Sequence, residues 1–280
     1  IAQRIFRNKS LRLKLEDLIH PLVFERIDDF FKRTKDGNKV FIVEAPLIFE
    51  RGYEDRFDKM ITVFTKETTA INRLSMHGIQ PKEVIERLKC QLPIKEKIKR
   101  SDYKIDNSMN PDKTKKQVTA VYKELLKEAK TKNLILEGRV DRAAKILGKP
   151  FSIEGMVIKG VGRGGKLLHT PTANIAVEKA IPLKEGVYAV KASYSPIHPP
   201  QRASRLTHSP LHNGVANIGK KPTFGEGALS FEVHIFNFSG NLLGKKLKVL
   251  FIKRIRDEKK FPNAKALEAQ IKRDIKKAKE

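Results

Sequence analysis

The sequence predicts two domains, an α/β domain built on a parallel sheet followed by a small six-stranded antiparallel β-barrel that ends in a helix. The 280 residues are enough for two domains of ordinary size. In the first half, short apolar runs alternate with helical segments, a pattern typical of a parallel sheet. Beyond Pro150 the apolar residues recur at every second position, as they do in strands with one buried face.

The first half opens with apolar residues at helical spacing over Leu11–Lys32, which predict two helices or one helix kinked at Pro21. Short apolar runs predict buried strands at Val40–Val43 and Met60–Phe64, and Tyr103–Ile105 predicts a further short strand. Helical spacing predicts the other elements of this half, which are Thr68–Met76, Lys82–Cys90 and Pro111–Lys130.

The second half follows a polar break at Thr131–Asn133. Glu137–Leu147 has a helical pattern, and Gly148 suits the position just after a helix end. Alternation then predicts six strands separated by turns, a pattern that fits a small antiparallel barrel. The strands are expected at Phe151–Lys159, Thr172–Val177, Gly186–Tyr194, Gly214–Gly219, Leu229–Phe236 and Lys246–Arg254.

Two further segments complete the second half. The proline-rich segment Ser195–Asn213 predicts a long exposed loop, and Lys265–Lys279 predicts a terminal amphipathic helix. We assign residues 1–135 to the first domain, 136–150 to a linker helix and 151–280 to the second domain.

The composition is strongly basic, with 58 Lys and Arg against 32 Asp and Glu and a formal net charge of +26. Such an excess favours anionic partners, including nucleotides and nucleic acids. The cations are interspersed with acids, however, and the chain has no Trp and few aromatic residues for stacking on bases. This distribution argues against a dedicated nucleic-acid-binding protein.

The cysteine count and the hydropathy pattern indicate the cellular compartment that we expect for the protein. Cys90 is the single cysteine, which excludes an intrachain disulfide and fits a reducing environment. No apolar run reaches the roughly 20 residues needed to cross a bilayer. We therefore expect a cytoplasmic protein without a membrane partner.

Residues 160–174 combine glycines, cations and side-chain oxygens. The glycines and cations suited to an anion are Gly160, Gly162, Arg163, Gly165 and Lys166. Their spacing nearly matches two phosphate-binding motifs that require a following helix, but Pro171 and an extended pattern follow instead. Thr172 and Asn174 would share one face of a strand, where oxygen ligands suit a magnesium-bound nucleotide. On these residues alone, a flexible basic hairpin is an equal alternative.

Short motifs in the second half occur in a defined order. They are Pro171–Asn174, Gly186–Val190, Gly214–Gly219, Glu232–Phe236 and Arg256–Glu258 with Phe261. Together they resemble riboflavin kinases, specifically the C-terminal module of bacterial bifunctional riboflavin kinase/FAD synthetases. The resemblance covers nearly all of residues 140–280. One departure is His169-Thr170, which stands where that family usually has Gly-Phe or Gly-Ile.

This resemblance implies roles for particular residues. The Gly160–Lys166 turn and Pro171 would hold the ATP phosphates, and Thr172 and Asn174 would ligate Mg²⁺. Glu232 would be the general base for the riboflavin 5′-hydroxyl. Arg256 would lie near flavin or phosphate, and Asn217 would be a ligand contact in the loop that borders the site. The alternatives are a solvent-facing carboxylate for Glu232, a turn former for Asn217, and a salt bridge with Asp257 or Glu258 for Arg256.

Ordered motifs also occur in the first half, at Leu18–Pro21, Ala45–Glu50, Arg73-Leu74, Arg87-Leu88 with Gln91, and Ile105–Asn107. They resemble the later two thirds of a dephospho-coenzyme A kinase. Those kinases begin with a strand, a Walker A loop (P-loop) and an acidic catalytic residue, which we expect to lie before Ile1. His77 stands near the position of the family's lid arginine, and a mostly neutral imidazole cannot replace a guanidinium on a phosphate. We expect this P-loop-kinase-like half, lacking its P-loop, to be inactive as presented.

The sequence therefore predicts an ATP- and Mg²⁺-dependent riboflavin kinase that converts riboflavin and ATP to FMN and ADP. One alternative is dephospho-CoA kinase activity in CoA biosynthesis, with dephospho-CoA at the N-terminal domain, if a P-loop lies upstream. The resemblance places His20 by that acceptor, although a helix-end role beside Pro21 is an equal alternative. An alternative of another class is a basic nucleic-acid-binding protein. FAD synthesis is not expected, because no adenylyltransferase module is recognisable in the sequence.

Overall fold

The computed structural model describes residues 8–34, 39–159, 172–177, 181–195, 210–220 and 229–280. The chain divides into two compact units, Ile1–Ala129 and Lys130–Glu280. The domain bounds given above stay a prediction, but the two-domain fold class, with a parallel sheet before an antiparallel barrel, is confirmed.

The N-terminal unit contains helices around a two-stranded parallel sheet. Its elements are α1 (Lys9–Arg33), β1 (Ile61–Phe64), α2 (Glu67–Met76), α3 (Pro81–Lys89), α4 (Ile94–Arg100), β2 (Tyr103–Asp106) and the first part of α5 (Pro111–Leu136). Strands β1 and β2 pair in parallel register, with Ile61 opposite Tyr103. Helix α1 continues through Pro21, and the Asn8 side chain caps it by accepting a hydrogen bond from the backbone N–H of Leu11 at 3.1 Å.

Two features of this unit differ from the prediction. Val40–Val43 is not a strand, and it pairs with no other strand among the described residues. Its Phe41 ring instead packs against Phe30 and Phe31 of α1, with ring centroids 5.6 Å apart in both pairs. Helix α4 was not predicted, because its Lys-rich sequence shows little apolar periodicity. The helix nevertheless buries Lys97, which is 8% exposed.

The polar break predicted at Thr131–Asn133 is wrong, since α5 runs through it to Leu136. Thr131 is buried there, and the following Leu134 and Ile135 pack into the core of the C-terminal unit. Gly138, at a φ of 77°, then turns the chain into α6 (Val140–Leu147). The predicted helix therefore starts later than expected, while Gly148 takes the left-handed conformation expected after a helix end.

The C-terminal unit is a closed antiparallel barrel with strand order β3-β4-β7-β6-β5-β8. Its strands are β3 (Phe151–Ile158), β4 (Thr172–Ala176), β5 (Gly186–Ser195), β6 (His212–Lys220), β7 (Leu229–Ile235) and β8 (Lys246–Arg256). The interior is filled by buried side chains that alternate along the strands, among them Tyr188, Ile218, Val233 and Phe251, all 0% exposed. A terminal helix, α7 (Ala264–Lys279), packs on β5, β6 and β8.

Candidate active site

A row of polar residues crosses three neighbouring strands of the barrel. Asn174 on β4 lies directly opposite Glu232 on β7, and Glu232 lies directly opposite Asn217 on β6. Residues opposite each other in antiparallel strands share a face of the sheet, with Cβ atoms about 4.5–5.5 Å apart. Phe231 and Val233, which flank Glu232, are 2% and 0% exposed inside the barrel. The carboxylate and the two carboxamides therefore lie together on the outer face.

Thr172 joins this row from the same strand as Asn174. Residues 172–176 form a strand, so the expectation that Thr172 and Asn174 share one face is confirmed. Thr172 lies opposite His234 of β7, which places a histidine two residues from Glu232 on this face. Two side-chain oxygens from β4 and one carboxylate from β7 are thus adjacent, half-buried and on one surface.

Other predicted residues fall outside the part of the chain that the structure describes. They are Gly160, Gly162, Arg163, Gly165, Lys166 and Pro171, together with His169. Their phosphate-binding roles stay predictions. The described Thr172 begins β4 directly after this segment, so the segment connects to the polar row through that strand.

Arg256 ends β8 and is held by the terminal helix. Its Nε and Nη2 donate to the carboxylate of Asp274 at 2.7–3.1 Å, and its Nη1 donates to the backbone oxygen of Asp257 at 2.8 Å. Asp274 is 2% exposed and also accepts from Gln270 Nε2 at 2.9 Å. In this structure Arg256 fastens α7 to the barrel, and its contact with flavin or phosphate stays a prediction.

Arg254, which the sequence reasoning missed, orders the chain just after β8. Its Nη2 donates to Asp257 Oδ1 at 2.6 Å and to the backbone oxygen of Glu185 at 2.5 Å. The hydrogen bond and charge of Arg254 lower the pKa of the Asp257 carboxyl below its ordinary value. Gly138 and Gly186 leave space for this arginine, because a Cβ at either position would collide with its side chain.

The loop after β8 also brings Glu258 to the polar row. Asn217 Nδ2 lies 3.5 Å from Glu258 Oε1. The sequence contains Glu258 in its Arg-Asp-Glu motif but gives no sign that this carboxylate returns to β6. Within the described ranges, no group of three or more His, Cys, Asp or Glu side chains is arranged to hold a metal.

The N-terminal unit contains the other motif residues. The His20 ring packs edge-on against Tyr53 with centroids 5.5 Å apart, and its Nδ1 is buried without a hydrogen-bond partner in the described structure. Glu50 forms a 2.6 Å ion pair with the buried Lys97 and accepts from the backbone N–H of Leu92 at 2.8 Å. These contacts give Glu50 a structural role in joining its loop to α4.

In the described ranges, no helix combines the length and apolarity needed to cross a membrane.

The C-terminal unit thus combines a closed six-stranded barrel with a polar row on the outer face of three neighbouring strands. Residues 147–280 match the family model for riboflavin kinase (flavokinase), and residues 1–113 match that for dephospho-CoA kinase. Two different kinase families are thus matched, one by each half of the chain.

Curated relatives of both kinds are similar to parts of the chain. The chain is 39% identical over 159 residues to a bifunctional riboflavin kinase/FMN adenylyltransferase of Buchnera aphidicola subsp. Schizaphis graminum, covering 55% of this chain and 47% of the relative. It is 40% identical over 137 residues to that of Haemophilus influenzae, covering 49% and 40%. It is 34% identical over 128 residues to a dephospho-CoA kinase of Aquifex aeolicus, covering 46% and 65%. The chain therefore spans about half, or less, of the bifunctional relatives.

Proposed function

We propose that the C-terminal unit transfers the γ-phosphoryl group of ATP to the 5′-hydroxyl of riboflavin, producing FMN and ADP. The observation that carries this proposal is the register of Asn174, Glu232 and Asn217 on three adjacent strands. All three residues also lie within residues 147–280, which match the family model for riboflavin kinase.

Phosphoryl transfer depends mainly on positioning and on neutralising charge. In the proposed reaction Glu232 accepts the proton of the riboflavin 5′-hydroxyl while the oxygen of that hydroxyl forms a bond to the γ-phosphorus of ATP. The bond between that phosphorus and the bridging oxygen breaks, and ADP leaves with the bond's electron pair. Burial of Phe231 and Val233 on either side holds β7 in place, so the Glu232 carboxylate is directed outward before substrate arrives.

The donors on β4 fit a magnesium ion. Thr172 and Asn174 supply neutral oxygens on one face beside the Glu232 carboxylate. Mg²⁺ prefers oxygen ligands and usually keeps waters and substrate phosphates in its shell, so two protein ligands suffice. When bound, the ion would offset the charge on the phosphate oxygens. The cations Arg163 and Lys166 would add to this neutralisation.

The proposal is tested by Glu232→Gln, which keeps the shape of the side chain but removes the base. We expect turnover to fall by roughly 10²–10⁴, the usual effect of losing a general base. Glu154→Gln is the matched control, because Glu154 is another outer-face barrel carboxylate, paired with Lys246 and Lys248 at 3.2 and 3.3 Å. Equal turnover in Glu232→Gln and Glu154→Gln would contradict the assignment of Glu232.

A second candidate, dephospho-CoA phosphorylation, is favoured by the family match over residues 1–113. Residues 1–135 contain no glycine-rich loop suited to a triphosphate, and His77 stands near the position expected for the lid arginine. We therefore expect no phosphorylation of dephospho-CoA by the 280-residue chain. Assay of the chain with ATP and dephospho-CoA checks this, and robust product formation would overturn the expectation.

A further inference from the structure

Gly219 on β6 shows that the space beside the polar row is reserved for another side chain. A Cβ added at Gly219 would lie 2.7 Å from Cδ and 2.8 Å from Oε2 of Glu258. The carboxylate of Glu258 therefore occupies the place that any larger residue at position 219 would need. Gly219 is two residues from Asn217 on the same strand, so both share the outer face that carries Glu232.

The loop that carries Glu258 is held by two arginines, which bind the side chain and the backbone of the preceding residue, Asp257. Arg254 holds the Asp257 side chain at 2.6 Å, and Arg256 holds the Asp257 backbone oxygen at 2.8 Å. Arg256 is itself fixed by the buried Asp274. Because the residue before Glu258 is tied at two points, Glu258 is directed back over β6 at little entropic cost.

The contact between Glu258 and Asn217 determines which way the carboxamide faces. A carboxylate only accepts hydrogen bonds, so the Asn217 amide must turn its Nδ2 group toward Glu258, at 3.5 Å. Its Oδ1 is then the acceptor presented on the face shared with Glu232. A hydroxyl-rich substrate chain lying over this face could donate a hydrogen bond to that oxygen while its terminal hydroxyl reaches the base.

We propose that Glu258 is a positioning residue, which orients the Asn217 carboxamide so that its oxygen binds a hydroxyl of the substrate's polyol chain next to Glu232. The inference rests on the proposed riboflavin kinase function and deepens it. It assigns Asn217 to the ribityl chain rather than to the phosphates, and it explains why position 219 is glycine although it lies in a regular strand.

The test combines kinetics with a measurement that does not need turnover. In Glu258→Ala the amide loses its orienting partner, and we expect kcat/KM for riboflavin to fall roughly tenfold, as for loss of one hydrogen bond to a charged group. The KM for ATP should stay unchanged. Gly219→Ala should have the same effect, because its methyl group displaces only the flexible end of Glu258 and leaves the strand in place. Glu268→Gln on the terminal helix, a carboxylate paired with Lys272 at 2.8 Å, is the control that should match wild type.

Double variants separate positioning from general damage. Asn217→Ala combined with Glu258→Ala should lose no more activity than Asn217→Ala alone, since Glu258 acts through Asn217. Gly219→Ala with Glu258→Ala should equal Glu258→Ala alone, because the displaced carboxylate is already absent. Multiplicative losses in either pair, or wild-type riboflavin kinetics in both single variants, would overturn the proposal.

The side-chain amide signal of Asn217 in ¹⁵N-labelled protein, identified by its absence in Asn217→Ala, provides the independent measurement. We expect this signal to shift in both Glu258→Ala and Gly219→Ala and to stay in place in Glu268→Gln. If wild type formed no FMN, the proposed function would fail, while the amide signal would still decide whether Glu258 orients Asn217. An unshifted signal in both variants would refute the positioning role, even if their thermal stability fell.

Discussion

Replacing Asp274 with Ala should detach the terminal helix from the barrel. Asp274 is 2% exposed and accepts hydrogen bonds from Arg256 at 2.7–3.1 Å and from Gln270 at 2.9 Å. Removing one partner of a buried pair costs about 3–5 kcal/mol, because the other charge is left without compensation. The Arg256 side chain is 15% exposed and can regain some water, so we expect the lower end, about 3 kcal/mol.

The unfolding free energy must be measured for the C-terminal unit alone, since two units need not unfold together. Hydrogen exchange followed by mass spectrometry in a urea series, read from peptides of β5 and β8, does this. Glu268→Ala is the control on the same helix. Its pair with Lys272 is exposed and spaced i,i+4, so its loss should cost only about 0.3–0.5 kcal/mol.

A companion variant checks the physical reason. Arg256→Met with Asp274→Leu removes both charges and should be less destabilising than Asp274→Ala alone, because no unpaired charge is left buried. If Asp274→Ala lowered the free energy of unfolding by no more than Glu268→Ala does, the Arg256 charge would not need Asp274 for its compensation. The Arg256–Asp274 pair would then not be what anchors the helix.

Two predictions concern ionisation. Arg254 lowers the pKa of Asp257, so this carboxyl stabilises the folded state above its unfolded pKa of about 3.9 and loses that contribution as the pH falls toward the folded value. The urea midpoint of Asp257→Asn should therefore fall less steeply than that of wild type below about pH 4. Equal slopes in the two proteins would refute this. The pKa of Tyr103 is raised to about 12, first by burial and then by the hydrogen bond to Glu128 and the nearby carboxylates. Glu128→Gln should lower this pKa in an ultraviolet titration, in which Tyr103→Phe identifies the signal of Tyr103. An unchanged pKa would contradict the contact between Tyr103 and Glu128.

The barrel could be predicted closely because strands such as β3 and β8 show alternating burial along much of their length. Strand β7 illustrates this, since Phe231, Val233 and Ile235 point inward as the pattern requires. The strand predicted at Val40–Val43 failed because an apolar run becomes a strand only when a neighbour completes its ladder, and Phe41 packs on α1 instead. Thr131–Asn133 failed because polar residues stay helical where the helix continues into a core.

The site could be predicted only in part. Alternation along β4 and β7 predicts that Thr172 and Asn174 share one face of β4 and that Glu232 lies opposite the apolar face of β7. The register that sets Glu232 between Asn174 and Asn217 depends on which strands pair, and the sequence pattern does not give that pairing. Contacts between distant positions, such as Arg256 with Asp274, have no signal in a single sequence. The space that Gly219 leaves for Glu258 is likewise visible only when the loop after β8 is in place.

The most direct test of the riboflavin kinase assignment is the chromatographic measurement of FMN formed from riboflavin and ATP by the purified chain, with and without Mg²⁺. We predict steady FMN formation that requires Mg²⁺ and that falls by roughly 10²–10⁴ in Glu232→Gln. Absence of FMN from folded wild-type protein at saturating substrates, or FMN formation that proceeds equally well in Glu232→Gln, would contradict it.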